Sequence, residues 1–422
     1  MVRTQPLDRR SLVLAALSTV VEWYDFTLFL YMATVLSRVF FPEETADEAI
    51  LTALMGFAVA YLMRPAGALV FGHFGDRHGR RATLLASMGL MTGAMLLTAM
   101  LPTATQAGPL AGAALLGLRC VMGFAVGGEY PGVVAYLLEG APRDRRGLVT
   151  SLAAATSEVG GLLAAGVAAL TVSLLPAAQL DSWGWRIPFF VGAALAGLIL
   201  LARSAMAESP EFAANRDAGT LPPRPLVHAV RHHRAGVLRG FAISALGSIT
   251  YYVGITYVPV FLTSSGRLSE AQSLQLATIA AFAVIVVTPF VGLISDRVGR
   301  RAVLVALAIL SAAVPYLLFG LLAGASTSEA VWGAVLLAVL AGGVSAVGAV
   351  ATAEQVPAAG RLSGLALGAT SATALFGGLT PWLAQVLIAR TGTAAAPGMM
   401  IAVVALCVLP VLAAMRDVPA EA

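Results

Sequence analysis

A ten-residue loop is written twice in this chain, and each copy lies between two long apolar stretches. Gly72-His73-Phe74-Gly75-Asp76-Arg77-His78-Gly79-Arg80-Arg81 and Gly292-Leu293-Ile294-Ser295-Asp296-Arg297-Val298-Gly299-Arg300-Arg301 carry Gly, Asp, Arg, Gly, Arg and Arg at the same six places. A second element recurs at nearly the same separation, as Glu139-x-x-Pro142-x-x-x-Arg146 and Glu354-x-x-Pro357-x-x-x-Arg361. Two motifs repeated in the same order mean a duplicated half, not two unrelated basic loops. Equivalent loops must then sit at equivalent places, on one face of the molecule.

What surrounds the loops sets the solvent. Hydrophobic residues make up 59% of the chain and charged residues only 11%, with a mean hydropathy of +0.86; a soluble domain carries about 25% charged residues. The chain is therefore read as an all-α polytopic membrane protein, and an internal repeat in such a chain points to a transporter. All 26 basic residues are arginine. That excludes a Walker lysine, a Schiff base and any lysine nucleophile. A net charge of +4 carried by loop arginines speaks for membrane topology and against a nucleic-acid partner. Cys120 and Cys407 lie far apart in apolar stretches and read as small core residues.

Crossing the hydrocarbon takes about 20 residues, and twelve apolar spans are placed at 12–37, 49–72, 82–101, 108–138, 147–175, 186–204, 236–262, 271–295, 301–322, 329–355, 362–389 and 397–415. Turn chemistry marks the breaks at Phe41-Pro42-Glu43, Leu101-Pro102-Thr103, Ser264-Ser265-Gly266 and Gly392-Thr393. The Arg9-Arg10 pair before an apolar run imitates a signal peptide, but Glu22 to Asp25 interrupts it, so it is kept as the first span. With both termini inside, only Arg38, Arg186, Arg267 and Arg390 fall outside and Arg64 and Arg119 in the membrane; the rest obey the positive-inside rule. Three units follow: a six-helix bundle at 1–205, a cytoplasmic linker at 206–235 and a second six-helix bundle at 236–422.

The repeated loops resemble the Gly-x-x-x-Asp-Arg-x-Gly-Arg-Arg signature of the major facilitator superfamily. Further residues resemble its metabolite–proton symporter branch, which includes carriers of alpha-ketoglutarate, citrate, shikimate, and proline or betaine. These are Glu22-Trp23-Tyr24-Asp25-Phe26, Arg64-Pro65, Arg119-x-x-x-Gly123-x-x-x-Gly127-Gly128-Glu129, Trp183-Gly184-Trp185-Arg186-Ile187-Pro188-Phe189 and Glu208-Ser209-Pro210-Glu211-Phe212. All of them lie in the first half, while the second half supports only the superfamily. The resemblance implies two pseudo-symmetric bundles in an inner membrane, with no cofactor and no metal, driven by the proton gradient. It also implies a cytoplasmic latch. Asp76 and Arg80, with Glu139 and Arg146, would form one network, and Asp296, Arg300, Glu354 and Arg361 its counterpart; Gly72 and Arg77 belong to the same motif. Plain topology-setting arginines would explain the charge of these loops but not the Asp or the glycines.

Ionisable groups at membrane depth are costly unless paired or facing water, so each is a functional candidate. At about 1.5 Å per residue, Glu22, Asp25, Arg119 and Glu158 fall near the midplane, with Arg64 and Glu129 nearer the inside. All six lie in the first half; the second half offers neutral groups, among them Tyr251, Tyr252, Thr256, Tyr257, Gln275, Thr370 and Ser371. Glu22 and Asp25 share a helix face, as do Arg119, Gly123 and Gly127, and the glycines admit a close neighbour. An Asp25–Arg119 contact is the natural pairing, either as the proton site or as a permanent ion pair. Glu22 and Glu158 are the further proton candidates, with a hydrogen-bonded glutamic acid between helices the alternative for Glu158. Substrate ligands are sought in Arg64, Arg119, Tyr24, Glu129, Tyr251, Tyr252 and Tyr257, with packing the alternative for the aromatics and a helix bend the alternative for Glu129.

No His-Glu-x-x-His, no Gly-x-Ser-x-Gly and no histidine at depth occurs, which argues against a membrane enzyme. The expected activity is proton symport of a small mono- to tricarboxylate by a monomer in the bilayer. A zwitterion or cation carrier, and a facilitator or antiporter without proton symport, stay open beside it.

Overall fold

The computed structural model describes residues 9–42, 46–222, 224–264, 268, 270–324 and 326–415. Both termini, Glu43, Ser265, Gly266 and Arg267 lie outside the described residues. All twelve expected spans fall on helices: α1 (Arg9–Tyr31), α2 (Ala46–His78), α3 (Arg80–Met100), α4 (Pro109–Gly140), α5 (Arg146–Leu174), α6 (Arg186–Arg203), α7 (Arg234–Leu262), α8 (Glu270–Val298), α9 (Arg300–Leu322), α10 (Thr327–Glu354), α11 (Ala358–Thr391) and α12 (Ala396–Ala413). A short helix, Ala33–Phe40, extends α1, and Pro210–Asp217 and Pro225–His232 lie between α6 and α7. Among the described residues there is no strand, as the bilayer's demand for internal backbone pairing requires.

The helices form two bundles of six. One core gathers Tyr24, Leu28, Met91, Leu115, Ala164 and Phe189 from α1, α3, α4, α5 and α6. Its counterparts gather Val253, Tyr257, Phe319, Leu337 and Ile401, and Ile243, Leu304, Val347 and Leu412, from the second half. A third cluster crosses between bundles, with Leu12, Val133 and Leu137 against Val350, Ala353, Leu362 and Leu365. That cluster lies beside both repeated loops, so the bundles are closed on the face that carries them.

Glycine explains two features that place the site. Gly79 and Gly299 stand at φ +113° and +100°, each the only break between a pair of long helices; the αL side of the map is costly for a residue with a Cβ. The repeated glycine is therefore a requirement of the turn. In the first bundle, a Cβ on Gly123 would lie 2.0 Å from the Ala60 carbonyl oxygen, and one on Gly127 2.1 Å from that of Arg64. Here α4 rides directly on the α2 backbone, the close approach that small residues permit between membrane helices. Gly123→Val should cost at least about 1–3 kcal/mol by overpacking, read as a lower unfolding temperature in detergent. Gly117→Ala on the same helix, with nothing within 4 Å, should stay within about 0.5 kcal/mol. Equal losses in the two variants would contradict the crossing as the cause.

Candidate functional site

Four carboxylates enter the apolar interior of the first bundle, and each is held differently. Asp25 on α1 receives two hydrogen bonds from Arg119 on α4, Nη1 to Oδ2 at 2.8 Å and Nη2 to Oδ1 at 3.1 Å. Both side chains are buried, and the guanidinium also sits 4.8 Å from the Phe29 ring centre. This is the paired, fork-to-carboxylate geometry in which arginine binds most strongly. Glu22, one turn earlier, is held loosely: its Oε1 is 3.4 Å from Arg64 Nη1, and its Oε2 is buried with no hydrogen-bond partner. Arg64 lies against the faces of Phe26 and Tyr61, at 4.9 and 4.5 Å from their centres.

Glu129 is fully buried between Ser87, which donates to Oε2 at 2.5 Å, and Arg203, whose Nη2 donates to Oε1 at 2.6 Å. Arg203 was expected at the end of the sixth span as a topology-setting charge. It turns inward instead, with no exposed surface, and its Nη1 also bonds the Leu84 carbonyl at 3.0 Å. Glu158 on α5 is the exception. Its one partner among the described residues is the Tyr251 hydroxyl of α7, which donates to Oε1 at 2.5 Å.

A cavity opens between the bundles at this depth. From the first half it is lined by Glu22, Trp23, Tyr61, Arg64, Tyr130 and Glu158, and from the second by Ser244, Ser248, Tyr251, Tyr252, Thr352, Thr370 and Thr373 among others. The division into ionic and neutral halves is the one expected from the diverged repeat. Trp23, Tyr61, Tyr251 and Tyr252 of this lining are joined through Phe26, which borders the smaller chamber, into a closed circuit of edge-on aromatic contacts: Phe26 to Trp23 at 5.5 Å, Trp23 to Tyr251 at 5.5 Å, Tyr251 to Tyr252 at 5.4 Å, Tyr252 to Tyr61 at 5.9 Å and Tyr61 to Phe26 at 5.3 Å. Three of these rings belong to one bundle and two to the other. Glycine makes room for the circuit, since a Cβ on Gly377 would meet the Tyr252 ring at 2.8 Å and one on Gly378 the Tyr61 ring at 3.2 Å.

Four of the proposed ligands stand elsewhere. Tyr24 is buried with its hydroxyl on the Pro188 carbonyl at 2.7 Å, and Tyr257 is buried with its hydroxyl on Gln385 at 2.6 Å. Glu129 is spent on Arg203. Arg119 borders a smaller chamber with Asp25, Glu22, Arg64, Phe26, Phe29 and Met122. That chamber shares Glu22 and Arg64 with the main cavity. The two charged pairs are thus adjacent, with only Glu22 and Arg64 facing the larger space.

The loop residues meet across the bundles. Arg80 binds Glu139 through Nη2 at 2.9 Å and Asp76 through Nη1 at 3.0 Å. Arg361 of the second half binds the same Glu139 at 2.6 Å and Glu211 of the connecting segment at 2.9 Å. Asp76 accepts from the backbone N–H groups of Leu362 and Ser363 at 3.2 and 2.8 Å. Asp296 accepts from those of Gly147 and Leu148 at 2.7 and 2.9 Å. Each repeated aspartate therefore caps the first turn of a helix in the opposite bundle. Gly72 and Gly292 lie where those helix starts cross, at 3.1 Å from the Leu362 oxygen and 2.6 Å from the Gly147 oxygen for an added Cβ.

This arrangement corrects the two separate networks expected above. Arg146 pairs with Glu211 at 2.6 Å, not with Glu139, because Glu139 is already shared by Arg80 and Arg361. Arg300 pairs with Asp296 at 2.7 Å and lies 3.5 Å from Glu354. Arg77 is exposed. Glu208, read above as part of a family motif and not of the latch, accepts through Oε1 from the backbone N–H groups of Arg80 and Arg81 at the start of α3.

Comparison with known proteins gives a consistent picture. A family model described as sugar (and other) transporter matches residues 11–221 and 223–421. The ectoine/proline transporter ProP of Corynebacterium glutamicum is 33% identical over 395 residues, covering 90% of this chain and 78% of its own length. The citrate-proton symporter of Klebsiella pneumoniae is 31% identical over 387 residues, covering 92% and 87%. Among solved structures, the major facilitator superfamily proton:xylose symporter XylE bound to 6-bromo-6-deoxy-D-glucose matches with a TM-score of 0.79 at 19% identity, over 95% of this chain and 94% of XylE, a protein of Escherichia coli. At that identity the likeness speaks for the fold.

Proposed function

Because the chain belongs to the sugar (and other) transporter family of the major facilitator superfamily, a family of transporters and not of enzymes, we propose that it is a proton-coupled symporter of a small carboxylate, working by alternating access in a bacterial inner membrane. The face bearing the repeated loops is assigned to the cytoplasm. The observation that carries this reading is one cavity between the bundles, with Arg64 on its wall and the Asp25–Arg119 pair behind it. Arg64 keeps 12% of its side-chain surface open where Glu22 keeps 2%. Its bond to Glu22 is long, so a substrate carboxylate can compete for the guanidinium. Arginine suits such a group because its planar fork meets both oxygens at once. A single guanidinium on the wall, among the described residues, fits one carboxylate better than three.

A second reading has its own support. The aromatic circuit of Trp23, Tyr61, Tyr251 and Tyr252, beside the acid of Glu158, is the kind of wall that attracts a quaternary or secondary ammonium. A zwitterion with its carboxylate at Arg64 and its cation among the rings would use both ends of the cavity.

Reconstituted protein tests the proposal. Proline, glycine betaine, ectoine, citrate and 2-oxoglutarate are screened by thermal shift, since a ligand stabilises the native state in proportion to its occupancy. Hits are then assayed for uptake with and without an inward proton gradient. Arg64→Gln should lower uptake by about 10- to 100-fold, the worth of a charge-assisted hydrogen bond, and Arg64→Lys should restore little of it. Full uptake in Arg64→Gln removes the arginine from the site. Uptake indifferent to the proton gradient leaves a facilitator. Binding of betaine or proline with no response to the carboxylates selects the second reading.

A further inference from the structure

Counting buried charges singles out one residue. Asp25, Glu22 and Glu129 each have an arginine within 4 Å, namely Arg119, Arg64 and Arg203. Glu158 has none among the described residues, although only 8% of it is exposed. A lone ionised carboxylate in such a place is expensive, and the ordinary outcome is that it takes up a proton. Its position is not accidental. A Cβ on Gly160 would lie 2.3 Å from the Val20 carbonyl oxygen, so α5 is pressed on α1 at that point. Glu158 stands two residues earlier and, at about 100° per residue, faces away from α1 and into the cavity.

The neighbouring elements supply no substitute for a proton. From α1 come Glu22, Tyr24, Asp25 and Tyr31, the last within electrostatic reach of Glu158. From α4 come Arg119, Glu129 and Tyr130, and from α7 Tyr251 and Tyr252. The charges of α6 are Arg186 and Arg203, at its two ends. Those of α8 and α10, namely Glu270, Asp296, Arg297, Glu329 and Glu354, also stand at helix ends. Every arginine at this depth is already bound to another acid. Among the described residues the hydrogen bond to Glu158 is made by the hydroxyl of Tyr251, and it comes from the other bundle.

We infer that Glu158 is a second proton-binding site, separate from the Asp25–Arg119 pair, and that the inter-bundle contact with Tyr251 controls when its proton leaves. The inference rests on the reading of the chain as a proton-coupled carrier and adds a site to it. With the contact made, Tyr251 donates to Oε1, and the proton is carried on the carboxyl group itself. When the bundles part, Tyr251 withdraws and water reaches both oxygens. The O–H bond of the acid then breaks heterolytically, the proton passes to that water, and the carboxylate left behind is hydrated.

The test combines spectroscopy with transport on the purified full chain. Infrared spectra of wild type and Glu158→Gln at neutral pH are compared for the carbonyl stretch of a protonated carboxylic acid. This measurement needs no substrate. The wild type should show the band, Glu158→Gln should lack it, and Glu158→Asp should restore it. In proteoliposomes loaded with the probes named above, Glu158→Gln should lose gradient-driven accumulation at least tenfold, and its remaining exchange should no longer vary with pH. An unchanged acid band in Glu158→Gln, or accumulation like that of the wild type, overturns the assignment. If the wild type itself ignores the proton gradient, the carrier reading falls, while the infrared comparison still decides whether Glu158 holds a proton.

Discussion

Replacing Asp25 by asparagine should abolish proton-driven accumulation and also loosen the fold. The second effect follows from burial. Arg119 has its carboxylate partner at 2.8 Å and only 3% of its side chain exposed, so removing the acid leaves a guanidinium with nothing to balance it. Breaking one side of a buried pair typically costs about 3–5 kcal/mol. Removing both sides costs far less, because no uncompensated charge is left. Asp25→Asn with Arg119→Gln should therefore regain most of the thermal stability lost by either single variant. It should not regain accumulation, since no group is left there to carry a proton. Unfolding temperature and gradient-driven uptake measured on the three variants separate the roles. A double variant that recovers both properties would make the pair a structural clasp and nothing more.

The next largest effect is expected at the loop acids. Asp76 and Asp296 each accept two backbone hydrogen bonds from a helix start in the other bundle. The residues just before the capped turns, Gly360 at the end of the 3-10 turn that opens α11 and Arg145 ahead of α5, provide no side-chain cap of their own. A helix cap is worth about 0.5–2 kcal/mol, and hydrogen bonds to a charged group about 1.5–3 kcal/mol. Asp76→Ala or Asp296→Ala should then shift the balance toward bundles parted on that face by roughly 10- to 100-fold, at 1.4 kcal/mol for each factor of ten. The readout is the labelling rate of Ala349→Cys, a cavity position near that face, by a water-soluble thiol reagent. Cys120 and Cys407 are first replaced, since both are free thiols and Cys407 is exposed. The rate should rise at least tenfold in either Asp variant. A rate equal to that of the parent would show that the caps do not hold the bundles together.

Legibility in the sequence divided along a physical line. Helix number, order and the shared face of the two loops were readable because a bilayer demands long apolar runs and a duplication demands equivalent placement. Asp25 with Arg119 was readable too, since opposite charges at one depth in adjacent helices have few other ways to be satisfied. Rotation about each helix axis was not. In a membrane, both the lipid side and the core side are apolar, so no amphipathic stripe tells which way Tyr24 or Tyr257 points. Both turned into bundle cores and away from the cavity. Arg203 was hidden for a different reason: an arginine at the last position of a span looks like any other topology-setting charge until a buried Glu129 is found within reach. The shared use of Glu139 by Arg80 and Arg361 depends on two loops meeting in space, and spacing along the chain carries no trace of it.

The exchanged caps have a consequence for how the molecule is made. The first bundle is complete in sequence well before Asp296 has been synthesised. Until the eighth span is inserted, the N–H groups of Gly147 and Leu148 have only water to bond, and the carboxylate of Asp76 has no partner in α11. A nascent first half cannot be latched. The side that carries the repeated loops therefore stays unfastened while the first half is made, and its closure waits for the second half.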